Sequence, residues 1–409
     1  MSKLTRRGCM ALGLAATAAG CAPFDSIMDS LTPAPAAGSA PDSLNGLARA
    51  KGLRFGSALG SGPSGAPVLP GDPVDTRGNQ FEDPNMRALM IAQCGLLVPE
   101  NELKWYSLRK TPLGFDFKRA DRLVDFAEEN GMAVRGHTLL WARPQYIPDW
   151  VTNYDFGSNP RAAAEAMLVE HVKTVCGRYG KRIFTYDVIN ELIVPETGEL
   201  EQSAFTKYLG PDVVDVMFHA AREAAPHAQL VYNDYMNWGT RSEKHRAAVL
   251  GLLERMRKNN VPIDALGVQS HIGIGFGNEP SDDAGYAKAR EIEWRRFLDE
   301  VVGMGLDLVV TEFDVNDKNV TGDFAVRDRA VAAQGRDYLA LMLSYPQLRY
   351  VMAWGIVDKY SWLQHTSPRP DGLPKRSCPY DDNFRPKLLR EAMADAFRAA
   401  PARPLMKIG

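Results

Sequence analysis

Residues Leu306–Val315 read Leu-Asp-Leu-Val-Val-Thr-Glu-Phe-Asp-Val, a short run whose consecutive apolar residues end among carboxyl groups. Such a run is typical of a parallel strand that is buried on both faces, because a half-exposed strand would alternate apolar and polar residues. Seven further runs have the same character: Leu53–Leu59, Leu96–Pro99, Ala133–Trp141, Phe184–Glu191, Gln229–Tyr235, Ala265–Ile272 and Arg349–Val357. The chain is therefore predicted to contain eight such strands.

Helical patterns lie between these runs, and several end at residues that commonly stop a helix, such as Asn130-Gly131, Gly180 and Gly305. The predicted helices are Ala120–Asn130, Pro160–Tyr179, Pro211–Ala225, Arg241–Asn259, Tyr286–Met304 and Asp328–Ser344. Strands alternating with helices predict an α/β fold, a single (β/α)8 TIM barrel, although a doubly wound sheet has the same periodicity.

Polar residues at the ends of the predicted strands favour the barrel. The carboxyl ends of barrel strands carry the active site in enzymes of this architecture. Acidic and imidazole side chains stand at or just beyond these ends: Glu100, His137, Glu191, Asp234, His271, Glu312 and Asp358.

Composition and charge exclude some classes of partner. The 409 residues carry a formal net charge of -2, so no basic field is available for nucleic acid. No HExxH pattern or other metal-ligand spacing occurs, and we expect neither a metal nor a cofactor. A monomer is the default expectation.

The N-terminus resembles a bacterial export signal over residues 1–21. Lys3, Arg6 and Arg7 precede an apolar stretch, Gly8 to Gly20, that is too short to span a bilayer. The arginine pair is compatible with the twin-arginine route. Small residues before Cys21 resemble a lipoprotein cleavage site, which favours a lipid anchor on Cys21 over an ordinary signal-peptidase site.

A Pro-, Ala- and Ser-rich stretch follows, and it predicts a flexible linker over residues 22–44 before a catalytic domain over residues 45–405. The cysteines after Cys21 are Cys94, Cys176 and Cys378. They allow at most one disulfide, and three core thiols are the preferred interpretation. The pattern Gly60-Ser61-Gly62-Pro63-Ser64-Gly65 matches a nucleotide-binding loop, but the prolines after it exclude the helix that such a loop needs. A surface loop is expected there, and also around Gly273, Gly275 and Gly277.

Two glutamates at strand ends suggest the chemistry. Glu191 ends the fourth predicted strand and Glu312 lies in the seventh, so a barrel would place them across its mouth. Buried carboxyl groups are costly unless they are paired or functional. Cleavage of a glycosidic bond needs two carboxyl groups, and a double displacement needs them about 5–5.5 Å apart.

Ordered motifs give the chain a resemblance to glycoside hydrolase family 10, the β-1,4-xylanases, over about residues 45–400. They are Glu100-Asn101-Glu102-Leu103-Lys104-Trp105, Gly136-His137-Thr138-Leu139-Leu140-Trp141, Asp187-Val188-Ile189-Asn190-Glu191, Asn233-Asp234-Tyr235, Gly267-Val268-Gln269-Ser270-His271, Thr311-Glu312-Phe313-Asp314, and Trp354-Gly355-Ile356-Val357-Asp358 with Ser361-Trp362. The resemblance implies an endo-acting, retaining xylanase whose partner is xylan or xylo-oligosaccharides.

The resemblance also implies residue roles. Glu191 would be the acid and then the base, and Glu312 the nucleophile, held by His271 and, behind it, Asp314. Asn190 would bond the sugar 2-hydroxyl. Sugar binding would fall to Glu100, Asn101, Lys104, His137, Trp141, Tyr235, Gln269, Trp354 and Trp362. Trp105 is expected to pack in the core.

Three features depart from the family pattern. Ala142 stands where the family has histidine, Tyr186 where it has tryptophan, and the segment Ala142–Pro148 is about two residues longer than usual. These changes spare both glutamates but leave substrate preference open. A retaining β-glucanase or mannanase, and a non-catalytic carbohydrate-binding protein, remain as alternatives.

Overall fold

The strands form a parallel barrel in the computed structural model, which describes residues 36–62, 78–239, 242–274 and 284–408. In chain order the strands are β1 Arg54–Leu59, β2 Leu96–Pro99, β3 Ala133–Gly136, β4 Ile183–Asn190, β5 Gln229–Asp234, β6 Ala265–Val268, β7 His271–Gly273, β8 Asp307–Asn316 and β9 Leu348–Ala353.

Strand pairing closes the sheet. The hydrogen-bonded order runs β6-β5-β4-β3-β2-β1-β9-β8-β7, and β6 also pairs with β8, where Ala265 lies opposite Asp307. A doubly wound sheet would leave two open edges, so this pairing confirms the (β/α)8 barrel. The short β7 adds to β8 beyond the point where β6 ends.

Each of the eight predicted strands is confirmed, but the third, sixth and eighth differ from their predicted bounds by several residues, and the eighth ends at Ala353 and not at Val357. The third run was expected to reach Trp141, but β3 ends at Gly136 and only an isolated bridge joins Trp141 to Asn190. The sixth run is divided into β6 and β7, because Ser270 between them has φ of 64°, which interrupts the extended backbone.

Helices lie between successive strands. They are α1 Leu44–Arg49, α2 Pro84–Gln93, α3 Trp105–Leu108, α4 Lys118–Glu129, α5 Asp149–Thr152, α6 Pro160–Tyr179, α7 Thr206–Leu209, α8 Asp212–Ala224, α9 Glu243–Lys258, α10 Ala284–Gly303, α11 Phe324–Leu343, α12 Leu363–Thr366 and α13 Leu388–Ala399. The prediction for α6 has the observed bounds, because Asn159 caps the Ala162 amide at 3.3 Å and Gly180 ends the helix with φ of 49°. None of the helices among the described residues is both long and apolar enough to span a bilayer.

Two apolar layers hold the barrel together. One lies between strands and helices, and the other fills the barrel interior, where Phe184 packs edge-on against Tyr350 with ring centres 5.9 Å apart. Above this interior layer a fully buried ion pair joins Arg135 on β3 to Asp187 on β4. A filled interior means that substrate can bind only at the ends of the strands.

Residues 36–44, which were expected to belong to the linker, pack against the barrel. The amide of Ala37 donates to Asn130 O at 2.9 Å and that of Gly38 to Ile91 O at 2.7 Å, so residues 36–44 are not a free linker. Burial of Ala37 against the barrel offsets the ordering entropy there. The export signal, Cys21, linker residues 22–35 and residues 63–77 and 275–283 of the two glycine-containing loops lie outside the described residues.

The cysteine prediction is confirmed for three thiols. Cys94, Cys176 and Cys378 are buried and free. Burial raises the pKa of each thiol, so none has the low pKa of a reactive cysteine.

Glycine is required at position 136, which gives a test of the packing below the site. A Cβ on Gly136 would lie 2.4 Å from the Tyr186 ring. We expect Gly136→Ala to lower the free energy of unfolding by about 1–3 kcal/mol through overpacking. As a matched control, Gly177→Ala in α6 meets no atom within 4 Å and should raise it by about 0.5–1 kcal/mol. Chemical denaturation measures both, and equal stabilities would contradict the packing.

Candidate active site

The predicted polar residues come together in one cavity of about 440 Å³ at the carboxyl ends of the strands. Every predicted sugar-contacting or catalytic residue of the barrel lines it except Asp314, which lies behind His271. A cavity of about 640 Å³ at the opposite end of the barrel is larger, but its lining includes no pair of buried carboxyl groups. The chemistry of the lining, and not size, therefore locates the site.

Glu312 is only 4% exposed, and each of its two carboxylate oxygens has a hydrogen-bond partner. Its Oε1 accepts from Asn233 Nδ2 at 2.8 Å, and its Oε2 lies 3.2 Å from His271 Nε2. The other ring nitrogen of His271 lies 3.0 Å from Asp314 Oδ2, and that oxygen also accepts from Trp362 Nε1 at 2.7 Å. His271 is thus fixed between two carboxylates.

Glu191 has a different environment. Its backbone has φ of 54°, the left-handed region, and the turn ends β4 at Asn190. Its Oε1 accepts from Gln269 Nε2 at 2.8 Å and its Oε2 from Trp141 Nε1 at 2.9 Å. These two donors are neutral, and the nearest guanidinium group, that of Arg143, lies farther away, with Nη1 3.5 Å from Glu191 Oε2.

Three side-chain amides link the two glutamates. Asn233 Nδ2 donates to Glu312 Oε1 and to Asn190 Oδ1, both at 2.8 Å. Gln269 Nε2 donates to Asn190 Oδ1 at 3.2 Å and to Glu191 Oε1 at 2.8 Å. Thr311 Oγ1 donates to Asn233 Oδ1 at 2.7 Å and thereby fixes the orientation of that amide. The relative position of the two carboxyl groups is set by this chain of bonds.

The two glutamates have opposite pKa shifts. Burial alone would raise the pKa of Glu312, but the hydrogen bond from His271 and nearby positive charge lower it to about 2. Burial opposes protonation of His271, yet Asp314 and Glu312 raise its pKa to about 10. Near neutral pH the pair is therefore a carboxylate and an imidazolium.

Burial is the largest cause of the raised pKa of Glu191, and the charge of Asp234 adds to it. The hydrogen bonds from Gln269 and Trp141 act in the opposite direction. Desolvation and the charge of Asp234, at the end of β5, therefore make Glu191 the carboxyl group that keeps its proton more readily.

Aromatic rings and a lysine form one wall of the cavity. Lys104 Nζ lies 4.5 Å from the centre of the Trp141 ring and 5.6 Å from that of Trp354. Trp354 also packs edge-on against His137 with centres 5.2 Å apart. Indole faces beside a buried ammonium group are suited to a ring that has apolar faces and hydroxyl edges.

The loop after β2 supplies a second set of polar groups. Asn101 Oδ1 accepts from Lys104 Nζ at 3.1 Å and from Tyr106 OH at 2.8 Å, and Glu100 accepts from Gln80. Trp105 does not line the cavity. It is buried, its ring stacks on His171 with centres 4.0 Å apart, and it packs in the core as predicted.

Several residues of the site were absent from the predicted set. Asn233, which holds Glu312 and Asn190 without lining the cavity, stood in a quoted motif but received no role, because its hydrogen bonds join residues distant in sequence. Arg143, Tyr146 and Tyr106 line the cavity. The extra length of segment 142–148 was the available signal for Arg143 and Tyr146, because an insertion beside a strand end alters the rim.

The two substitutions relative to the family pattern have different consequences. Tyr186 does not line the cavity: it is buried, and its hydroxyl group lies near the Cys176 thiol on α6. Ala142 is buried beside Trp141, and its amide donates to Asn190 O at 2.9 Å. The next residue, Arg143, reaches the cavity and Glu191. Only the departure around residue 142 therefore changes the site.

Solved structures share this fold. Xylanase 10B from Thermotoga petrophila in complex with xylobiose has a TM-score of 0.73 and 25% identity, covering 87% of this chain and 97% of that one. Xylanase B from Clostridium stercorarium has a TM-score of 0.70 and 29% identity, covering 86% and 99%.

Sequence relatives agree with the structural neighbours. Endo-1,4-beta-xylanase 5 of Pyricularia oryzae is 31% identical over 336 residues, which cover 81% of this chain and 76% of that protein. The Beta-1,4-xylanase of Dictyoglomus thermophilum is 31% identical over 300 residues, 71% of this chain and 78% of that protein. The sequence profile described as Glycosyl hydrolase family 10 matches residues 44–396. With its barrel, its paired glutamates and this match, the chain belongs to glycosyl hydrolase family 10.

Proposed function

We propose that this protein is an endo-acting β-1,4-xylanase that hydrolyses xylan with retention of configuration at the anomeric carbon. The observation that carries the proposal is the pair of glutamates in one cavity, with the pKa lowered at Glu312 and raised at Glu191. A double displacement needs one ionised and one protonated carboxyl group at the outset.

In the first step the Glu312 carboxylate attacks the anomeric carbon. The bond to the leaving-group oxygen breaks, and that oxygen takes the proton of Glu191. In the second step the Glu191 carboxylate removes a proton from water, the water oxygen bonds to the anomeric carbon, and the ester to Glu312 breaks. Formation of the ester removes the negative charge of Glu312, and the charge returns when the ester breaks.

His271 and Asn190 act as positioning groups in this proposal. His271 holds Glu312 ionised and is itself held by Asp314. The oxygen of Asn190 already accepts from Asn233 and Gln269, so its NH2 group is left to donate to the 2-hydroxyl of the sugar. Lys104, Asn101, His137, Glu100 and Gln269 would bind the sugar hydroxyls, and Trp141, Tyr235, Trp354 and Trp362 the sugar faces.

Xylan is favoured over other β-glycans because the sequence relatives described above are named xylanases and one structural neighbour was solved in complex with xylobiose. A retaining β-glucanase or mannanase would share the paired glutamates. A non-catalytic binding protein would not need two carboxyl groups with opposite pKa shifts.

Trapping tests the nucleophile. A 2-deoxy-2-fluoro-xylobioside with a good leaving group should inactivate the enzyme, because the fluorine slows both formation and hydrolysis of the ester while the good leaving group speeds its formation alone. Peptide mapping by mass spectrometry should find the label on Glu312 alone. Label on another residue would overturn the mechanism, and labelling only by the gluco or manno reagent would change the substrate.

Replacement of Glu191 separates the two steps. Glu191→Ala should reduce kcat/KM on xylan by about 10²–10⁴, because general acid catalysis is lost. On dinitrophenyl β-xylobioside, whose leaving group needs no proton, glycosylation should persist while the glycosyl-enzyme accumulates. Azide should then restore turnover and yield the β-xylobiosyl azide, which stopped assays and NMR would detect. An α-azide, or no rescue, would argue against this role.

We also propose that the chain is exported from a bacterial cell and anchored through a lipidated Cys21, with xylan as its substrate outside the cytoplasm. The support is the basic and apolar N-terminal pattern that ends in small residues before Cys21. In a bacterial host, wild-type protein should label with a palmitate analogue and sediment with membranes. Cys21→Ser should lose both properties, and Cys94→Ser serves as the control. A Cys21→Ser protein that still sediments with membranes would exclude the lipid anchor.

A further inference from the structure

The Glu191 carboxyl group has a charged neighbour that follows from the altered segment after β3. Arg143 Nη1 lies 3.5 Å from Glu191 Oε2, and Arg143 Nε lies 3.7 Å from Glu201 Oε1. The Arg143 side chain is 33% exposed, whereas those of Glu191 and Glu201 are 9% and 14% exposed. One guanidinium group is therefore shared between two largely buried carboxyl groups.

The guanidinium group is also held from its own loop. In the orientation that satisfies both amide atoms, the Gln145 oxygen accepts from Arg143 Nη2 at 3.3 Å and from Nε at 3.2 Å. The rings of Tyr146 and Tyr235 lie about 6 Å away, with centroids 6.0 and 5.9 Å from Arg143 Cζ. Tyr146 in turn stacks on Trp141, the donor to Glu191 Oε2, with ring centres 3.6 Å apart.

We infer that Arg143 is a positioning residue for Glu191: shared with Glu201, its guanidinium group orients the carboxyl group and sets how readily that group gives up its proton. This inference rests on the proposed function, because it concerns the acid and base of the same reaction. Arg143 itself need touch neither the sugar nor the reacting atoms.

The charges around Glu191 determine in which direction its acidity changes when a neighbouring charge is removed. Asp234 at the end of β5 opposes ionisation of Glu191, and it is itself paired with His245 at 3.2 Å. Lys104, on the loop after β2, and Arg143 favour ionisation, and Arg143 is among the groups that lower the pKa of Glu191. Tyr235 and Tyr232 nearby have raised pKa values, chiefly through burial, and stay neutral. Removal of Arg143 should therefore make Glu191 a weaker acid, and removal of Glu201 should make it a stronger one.

The test compares kcat/KM against pH for xylotetraose. With Arg143→Gln the alkaline limb, which reports loss of the Glu191 proton, should move to higher pH, while the acidic limb stays in place. Arg143→Lys retains the positive charge and should move the alkaline limb less than Arg143→Gln does. Glu201→Gln removes the second carboxylate, so that Arg143 interacts with Glu191 alone. This variant should move the alkaline limb to lower pH.

A second readout uses the leaving group. A weaker acid penalises only substrates that need a proton, so Arg143→Gln should lower kcat/KM on xylotetraose about threefold to tenfold and leave dinitrophenyl β-xylobioside within about twofold. Arg182→Gln is the matched control, since Arg182 is 32% exposed, pairs with Asp125 and Glu128, and lies at the opposite end of the barrel. It should change neither readout.

The outcomes separate this inference from the proposed function. A wild-type enzyme inactive on xylotetraose and xylan rejects the proposed function and the inference with it. An active wild type whose alkaline limb is unmoved by Arg143→Gln, or a Glu201→Gln variant that moves it to higher pH, overturns the inference alone. If Arg143→Gln lowered kcat/KM equally on xylotetraose and on dinitrophenyl β-xylobioside and left both limbs of the pH profile unchanged, Arg143 would be a merely structural residue.

Discussion

The site depends on one amide group, that of Asn233 at the end of β5. Its NH2 group donates to Asn190 Oδ1 and Glu312 Oε1, and its oxygen accepts from Thr311 Oγ1. A Cβ on Gly267 would lie 2.4 Å from that oxygen, so the neighbouring strand needs glycine there. Residues of four adjacent strands, β4, β5, β6 and β8, thus hold this amide in place. Through it, the two glutamates keep their relative position.

The barrel gives two residues of the same type, Glu191 and Glu312, different pKa values. Both glutamates are almost fully buried, and burial raises the pKa of either one. At Glu312 an imidazolium between two carboxylates outweighs burial, whereas at Glu191 neutral amide and indole donors do not. The difference between the groups that contact each carboxyl group, and not between the carboxyl groups themselves, assigns the acid and the nucleophile in the proposed mechanism.

The segment after β3 shows how such a site can vary without losing its centre. Ala142 is buried, whereas Arg143 and Tyr146 of the same segment line the cavity. Arg143 lies beside Glu191 itself, and Tyr146 stacks on Trp141, which donates to Glu191. The amide chain below is untouched, because it is built from strand ends and not from this loop.

The sequence by itself determined the eight barrel strands and the position of both glutamates at strand ends, because buried parallel strands lack alternation and their carboxyl ends meet at one face. Most of the cavity lining was inferred from the motifs shared with the family. Tertiary structure alone decided that the sheet closes, that residues 36–44 pack against the barrel, that burial and Asp234 raise the pKa of Glu191, that Tyr186 faces α6 and that Arg143 joins Glu191 to Glu201. Desolvation, Coulomb interactions and hydrogen bonds depend on distances in space, and residues that meet across a barrel mouth are separated along the chain by lengths that no local pattern records.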